Sequence, residues 1–94
     1  MTKLVVTHEV EDRKQWEQAW HTGPGGRGEM MAAVGVAGFH LLQDPQNPNL
    51  TGVLFDISDL PKFMAFMQSA EAASSMANDG IKPGTVRTVL EFAL

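Results

Sequence analysis

The sequence predicts a small α+β sandwich of order βαββαβ, with a four-stranded antiparallel sheet and both helices on one face. Runs rich in Val, Thr, Phe and Leu at Leu4–Val10, Val36–Gln43, Thr51–Ile57 and Val86–Leu94 read as strands. Apolar residues at helical spacing fill the chain between the first and second of these runs and again between the third and fourth. The middle two are separated by Asp44–Asn49, a stretch of turn formers that makes a hairpin loop. Right-handed crossovers place both helical segments on the same side of the sheet.

Each element has its own local signal. Asp12, three residues before Gln15, is a capping-box pattern, and Trp16, Ala19 and Trp20 then recur on one face. That helix should stop near His21-Thr22, because Gly23-Pro24-Gly25-Gly26 cannot continue it. A short helical piece over Glu29–Val34 ends at Gly35. Asp59 is a suitable N-cap, and Pro61 falls in the first turn, where its missing N–H is harmless. Leu60, Phe63, Met64, Met67 and Ala70 form the apolar stripe, Glu71–Asn78 extends or restarts the helix, and Gly80 is placed to end it. Pro83-Gly84 is a turn leading into the last strand.

Composition narrows the function. The 94 residues form one domain, 1–94, and a chain of this size buries only about 60–65% of its unfolded surface. Yet 44% of the residues are apolar, with 6 Met and 5 Phe, more than a lone small core needs. The absence of Cys excludes disulfides and a thiol nucleophile. The net charge of −4, with seven scattered Lys and Arg, argues against nucleic acid and against an anionic membrane surface. Neither a leader-type apolar segment nor a membrane-length run is apparent, so a cytoplasmic location is expected.

Strand parity supplies the partner. Leu4, Val6, His8 and Val10 share one face of the first strand and Val5, Thr7 and Glu9 the other. Phe39 and Leu41 oppose Val36, His40 and Leu42; Val53, Phe55 and Ile57 oppose Leu54; Val86, Leu90, Phe92 and Leu94 oppose Val89 and Ala93. A sheet covered on one side should show water a polar back, and this one does not. A homodimer packed sheet to sheet is the expected consequence.

With these elements the chain resembles the dimeric α/β-barrel superfamily of ferredoxin-like fold, and in particular small antibiotic-biosynthesis-monooxygenase-like and cyclase-like proteins. The resemblance spans nearly the whole length. It rests on Leu4–Val10 running into Asp12 and Trp16, on the hairpin from Gly38-Phe39-His40 to Gly52-Val53-Leu54-Phe55, and on Asp59–Gly80 before a final apolar strand. It implies a homodimer with one pocket per subunit, between sheet and helices. It also implies a relationship to cofactor-independent oxygenases, cyclases, lactone isomerases and haem-degrading enzymes. The chain departs from them in having no tyrosine, and it has no histidine between Asp59 and Gly80, where the haem degraders carry one.

His8 and His40 are the candidate catalytic residues. Parity puts both on the face of Val6 and Leu42, bracketing a small planar ligand across the third strand. A neutral imidazole in an apolar pocket can take a proton from an activated C–H or a phenol. Trp16, Trp20, Met31, Phe63 and Met67 are the candidate pocket walls, although aromatics and Met at helical spacing also build ordinary cores. Gly23–Gly28 formally fits G-x-G-x-x-G but follows a helix, so it reads as a flexible break or lid, with Arg27 available to a ligand carboxylate or keto oxygen. No metal-ligand spacing is present, and neither metal nor cofactor is expected.

The resulting reading is a small cofactor-independent enzyme, monooxygenase-, cyclase- or isomerase-like, acting on a hydrophobic aromatic or polyketide-like molecule with a His general base. The rival is a non-catalytic dimeric barrel that binds a ligand or serves as an accessory or scaffold protein. A haem-binding protein is a third.

Overall fold

The computed structural model describes residues 1–21 and 23–92. In chain order the elements are β1 (Thr2–Glu9), α1 (Arg13–Ala19), α2 (Arg27–Ala32), β2 (Val36–Gln43), β3 (Leu50–Ile57), α3 (Leu60–Met67), α4 (Ala70–Asn78) and β4 (Arg87–Leu90). The strands form one antiparallel sheet of order β2-β3-β1-β4. The expected βαββαβ order is thus present, each crossover being built from two short helices.

The inner face of the central pair is closed to solvent. Leu4, Val6 and Val10 from β1 and its bridge, and Val53, Phe55 and Ile57 from β3, are buried beneath Trp16, Trp20, Met31 and Phe63. An aromatic row crosses this layer: Trp20 stands 5.0 Å from Phe39 and 6.0 Å from Phe55, and Phe55 stands 5.2 Å from Phe63, all tilted. Tilted pairs at these separations add about 0.5–1.5 kcal/mol each beyond their buried area.

Local chemistry sets the element ends. Asp59 and Ser69 accept hydrogen bonds from Lys62 N and Ala72 N, capping α3 and α4. Asp12 caps α1 through Lys14 N, but Gln15 does not complete the capping box; its amide donates to the Asn78 carbonyl and ties α1 to the end of α4. Gly35 turns the chain into β2 at φ 91, where a side chain would be strained, and a Cβ there would meet the Asp59 carbonyl at 2.7 Å.

Two strand expectations need correction. β2 carries an extra residue at Ala37: Val36 pairs with Ile57, but Gly38 pairs with Asp56. A bulge of this kind inverts the alternation, so Phe39 and Leu41, not His40 and Leu42, share the inner face with Val36. The last strand was expected over Val86–Leu94, yet β4 ends at Leu90. Glu91 N still donates to the Lys3 carbonyl at 2.9 Å, and Ala93 and Leu94 lie outside the described residues, as does Thr22 at the expected end of α1.

Phe63 is fully buried and joins α3 to the aromatic row. Phe63→Ala should lower the unfolding free energy by about 3–5 kcal/mol, measured by urea denaturation with the slope unchanged.

Candidate functional site

A cavity of about 40 Å³ lies between the inner sheet face and the helices. Its walls are mostly apolar: Val6, Val53 and Phe55 from the sheet, Met30 and Met31 from α2, and Phe66, Met67 and Met76 from the second crossover. Four polar side chains break this lining, the uncharged Ser75 and the titratable His8, Arg27 and Asp79.

His8 is the buried polar member of an otherwise apolar strand face, at 3% exposure. It faces inward because β1 pairs with β3 in the register that sets His8 opposite Thr51. The Thr51 hydroxyl lies 2.8 Å from His8 Nδ1 and 3.3 Å from the His8 carbonyl. Donation by Thr51 to Nδ1 puts the proton on Nε2, and donation to the carbonyl puts it on Nδ1, so the hydroxyl sets the tautomer. Nε2 takes no hydrogen bond from the described residues. Trp16 packs edge-on against the imidazole, with ring centroids 5.5 Å apart. Burial pushes the imidazole pKa below 6.5, opposed by its own backbone and by the Asp79 carboxylate. His8 is therefore neutral at pH 7.

Arg27 opens α2 and Asp79 caps the end of α4. Their pairing is bidentate: Nε donates to Oδ2 at 2.8 Å and Nη2 to Oδ1 at 2.6 Å. Both side chains are largely out of water, 15% and 7% exposed. The hydrogen bonds that Arg27 donates to Asp79 raise its pKa further, keeping its charge fixed. The indole N–H groups of Trp16 and Trp20 are buried without an acceptor, a state that costs about 1–3 kcal/mol per group.

The residues anticipated from sequence divide. His8, Trp20, Met31, Met67 and Arg27 line the cavity. Trp16 and Phe63 are core residues behind its wall. His40 stands on the opposite face of the sheet, exposed, opposite Leu54, because the bulge at Ala37 turns it away. The two histidines thus do not bracket one ligand within a chain. Asp79 was not anticipated: at a helix end before Gly80 it reads as an ordinary surface carboxylate, and its pairing with Arg27, 52 positions away, has no local signal. No cluster of potential metal ligands occurs among the described residues, and no helix there is long and apolar enough to cross a membrane.

No family model matches the sequence, and no curated protein matches it significantly. Solved structures do share its architecture. An antibiotic biosynthesis monooxygenase-like protein of Bordetella bronchiseptica superposes with TM-score 0.69 at 18% identity, over 99% of this chain and 96% of that one. HapK from Hahella chejuensis gives 0.66 at 14%, over 100% and 93%. SnoaB, a cofactor-independent oxygenase from Streptomyces nogalater, gives 0.63 at 15%, over 99% and 92%. The chain has the ferredoxin-like fold of the antibiotic-biosynthesis-monooxygenase-like proteins.

The depressed pKa of His8 makes a pH prediction. A histidine that is harder to protonate when folded leaves the unfolded chain with more bound protons below 6.5, so stability falls with pH through that window. Wild-type protein should lose stability between about pH 7.5 and about pH 5, and His8→Gln should shrink that loss. Asp56, whose pKa is held below 3.8 by Lys3, titrates outside the window. Urea midpoints of both proteins at the two pH values provide the check.

Proposed function

We propose that the protein is a small cofactor-independent enzyme acting on a hydrophobic, aromatic or polyketide-like small molecule, with His8 as general base. One observation carries this reading: a buried, neutral imidazole, oriented by Thr51, at the wall of an apolar cavity. In the tautomer in which Nδ1–H donates to Thr51 and Thr51 donates to the His8 carbonyl, Nε2 is unprotonated and free to take a proton from an activated C–H or a phenol. Trp20, Met31 and Met67 form the surface for a flat apolar body, and Arg27 supplies donors to an oxygen. The structural neighbours include SnoaB, a cofactor-independent oxygenase, which supports the class and leaves the substrate open. His40 has no part in this cavity.

The cavity is far below the roughly 300–1,000 Å³ of a pocket for a drug-sized ligand. A wall must therefore move for substrate to enter. α2 is the suited element: six residues long, it carries Arg27, Met30 and Met31, and Gly26 and Gly35 flank it. The Gly23–Gly28 stretch then acts as the hinge of a lid.

The working unit in this reading is a homodimer joined through the outer sheet face. Val5, Leu42, Leu54 and Val89 form an apolar strip there, with Leu42 39% and Val89 62% exposed. β4 is exposed on both faces, and Phe92 beyond it is 76% exposed. A second copy would cover this surface. The rival reading, a non-catalytic dimeric barrel, draws on the small volume of the cavity.

Proton removal is measurable without the natural substrate. The protein should accelerate deuterium exchange at the acidic C–H of an anthrone in D₂O, followed by NMR, and His8→Gln should slow that exchange by about 10²–10⁴-fold. Equal rates in the two proteins, with the dimer intact, would leave the non-catalytic reading. Sedimentation should show a dimer at micromolar concentration and a monomer for the double variant Leu42→Asp, Val89→Asp; a wild-type monomer removes the sheet-to-sheet dimer.

A further inference from the structure

The Arg27–Asp79 pair does something the fold does not require. Removing two charges from water costs several kcal/mol per ion, and well-packed apolar residues in their place are often neutral or better for stability. Yet this pair stands, largely out of water, in the wall of the cavity that holds His8. The bidentate contact uses two of the five guanidinium N–H groups, so three remain unclaimed by the described residues. The groups facing His8 can be named from every side. Thr51 from β3 and Trp16 from α1 touch the imidazole and are uncharged; in the cavity lining that His8 shares, Ser75 from α4 is uncharged, and Asp79 from the end of α4 and Arg27 from α2 carry the charges.

We propose that this ion pair is the electrostatic half of the site: Asp79 stabilises the imidazolium formed when His8 takes a proton, and holds Arg27 so that its free N–H groups receive the oxygen left negative. The inference rests on His8 being the base. The step is a proton transfer alone. The substrate O–H bond, or in a keto tautomer such as anthrone the acidic C–H bond, breaks, its electron pair comes to rest on oxygen, the proton goes to Nε2, and nothing is oxidised. The resting site sums to zero charge, since His8 is neutral and Arg27 cancels Asp79. After transfer, the positive imidazolium and the negative oxygen each have an oppositely charged neighbour already fixed in place, so little reorganisation accompanies the reaction. Asp79 is thus a positioning residue. The class of substrate follows: a flat apolar molecule that enters uncharged and carries a weakly acidic enol or phenol oxygen. A molecule already anionic on entry would lack the proton that His8 is placed to take.

The test reads His8 itself. In NMR titrations of the intact protein, with His8 assigned by its loss in His8→Gln, Asp79→Asn should lower the His8 midpoint by about one pH unit, tenfold in proton affinity. Should Asp79→Asn alone fail to fold, Arg27→Gln, Asp79→Asn removes both charges together, and the midpoint should still fall, by less. An unmoved midpoint in a folded variant overturns the role of Asp79. For Arg27 the probe is 4-nitrophenol, whose ionisation is read from its visible absorbance. Wild-type protein should bind it with its ionisation shifted to lower pH, and Arg27→Gln should remove about tenfold of that ionisation. Equal ionisation in both proteins overturns the role of Arg27. Anthrone exchange lost in His8→Gln while the Asp79→Asn midpoint stays put sinks this inference alone; exchange unchanged in His8→Gln sinks the base itself.

Discussion

Opposite His8 on β1 stands Thr51 on β3, and the site is built on that one register pair. Side chains alternate across a strand with a period of two, so a slip of one residue would carry His8 to the outer face and bring Thr7 inward. Leu4 and Val6 hold the register against Phe55 and Val53, since the same slip of β1 would turn both of them away from that inner face. The packing energy of the core thereby fixes the position of a polar group that contributes little to it. Once there, His8 is desolvated and neutral, Thr51 takes up Nδ1, and Nε2 is left for the cavity.

The helical layer around this pair is divided in its rigidity. Trp16 and Phe63 anchor α1 and α3 in the aromatic row, fully out of solvent. α2 is held differently. Met31 packs into the core, Met30 meets the Ser75 hydroxyl at a long 3.8 Å, and the strong attachment is the Arg27–Asp79 contact. A bidentate ion pair is directional and can be exchanged for another anion or for water, whereas an interdigitated apolar contact cannot. A wall attached in this way can open as a unit while the aromatic row keeps the sheet and α3 in place.

Much of this was legible in the sequence. Alternation in β1 and β3 gave the inward set correctly, including His8, because those strands are regular and fully covered. Helix caps at Asp59 and Asp12, and the turn at Gly35, were readable from residue type. The failures have local causes. Nothing in Val36–Gln43 marks Ala37 as an extra residue: counting by two from Val36 sends His40 inward, and one bulged residue reverses it. Gln15 follows the capping-box spacing, but in place of accepting from the Asp12 N–H its amide donates to the Asn78 carbonyl, from a distant part of the chain. Trp16 and Trp20 look equivalent on a helical wheel, yet only Trp20 reaches the cavity. Asp79 escaped notice because its significance lies in Arg27, and long-range ion pairs leave no periodicity to read.

The burial that makes His8 useful also closes it off. An imidazole stays neutral at physiological pH most securely when water is excluded, and the strength of Arg27 and Asp79 as neighbouring charges depends on the same exclusion. A permanently open pocket would restore solvent screening and weaken all three groups at once. A wall that never moved would leave about 40 Å³, room for only a few water molecules. The two demands are compatible only if the wall that opens is also the wall that carries a charge. α2 meets that condition, since Arg27 opens the helix and Met31 closes over the cavity from its last turn. In the lid reading proposed above, an α2 that swung out would carry Arg27 with it, and its return over a bound molecule would bring the guanidinium and the apolar wall together. Closure would then assemble the charged half of the site in the same movement that expels water from it.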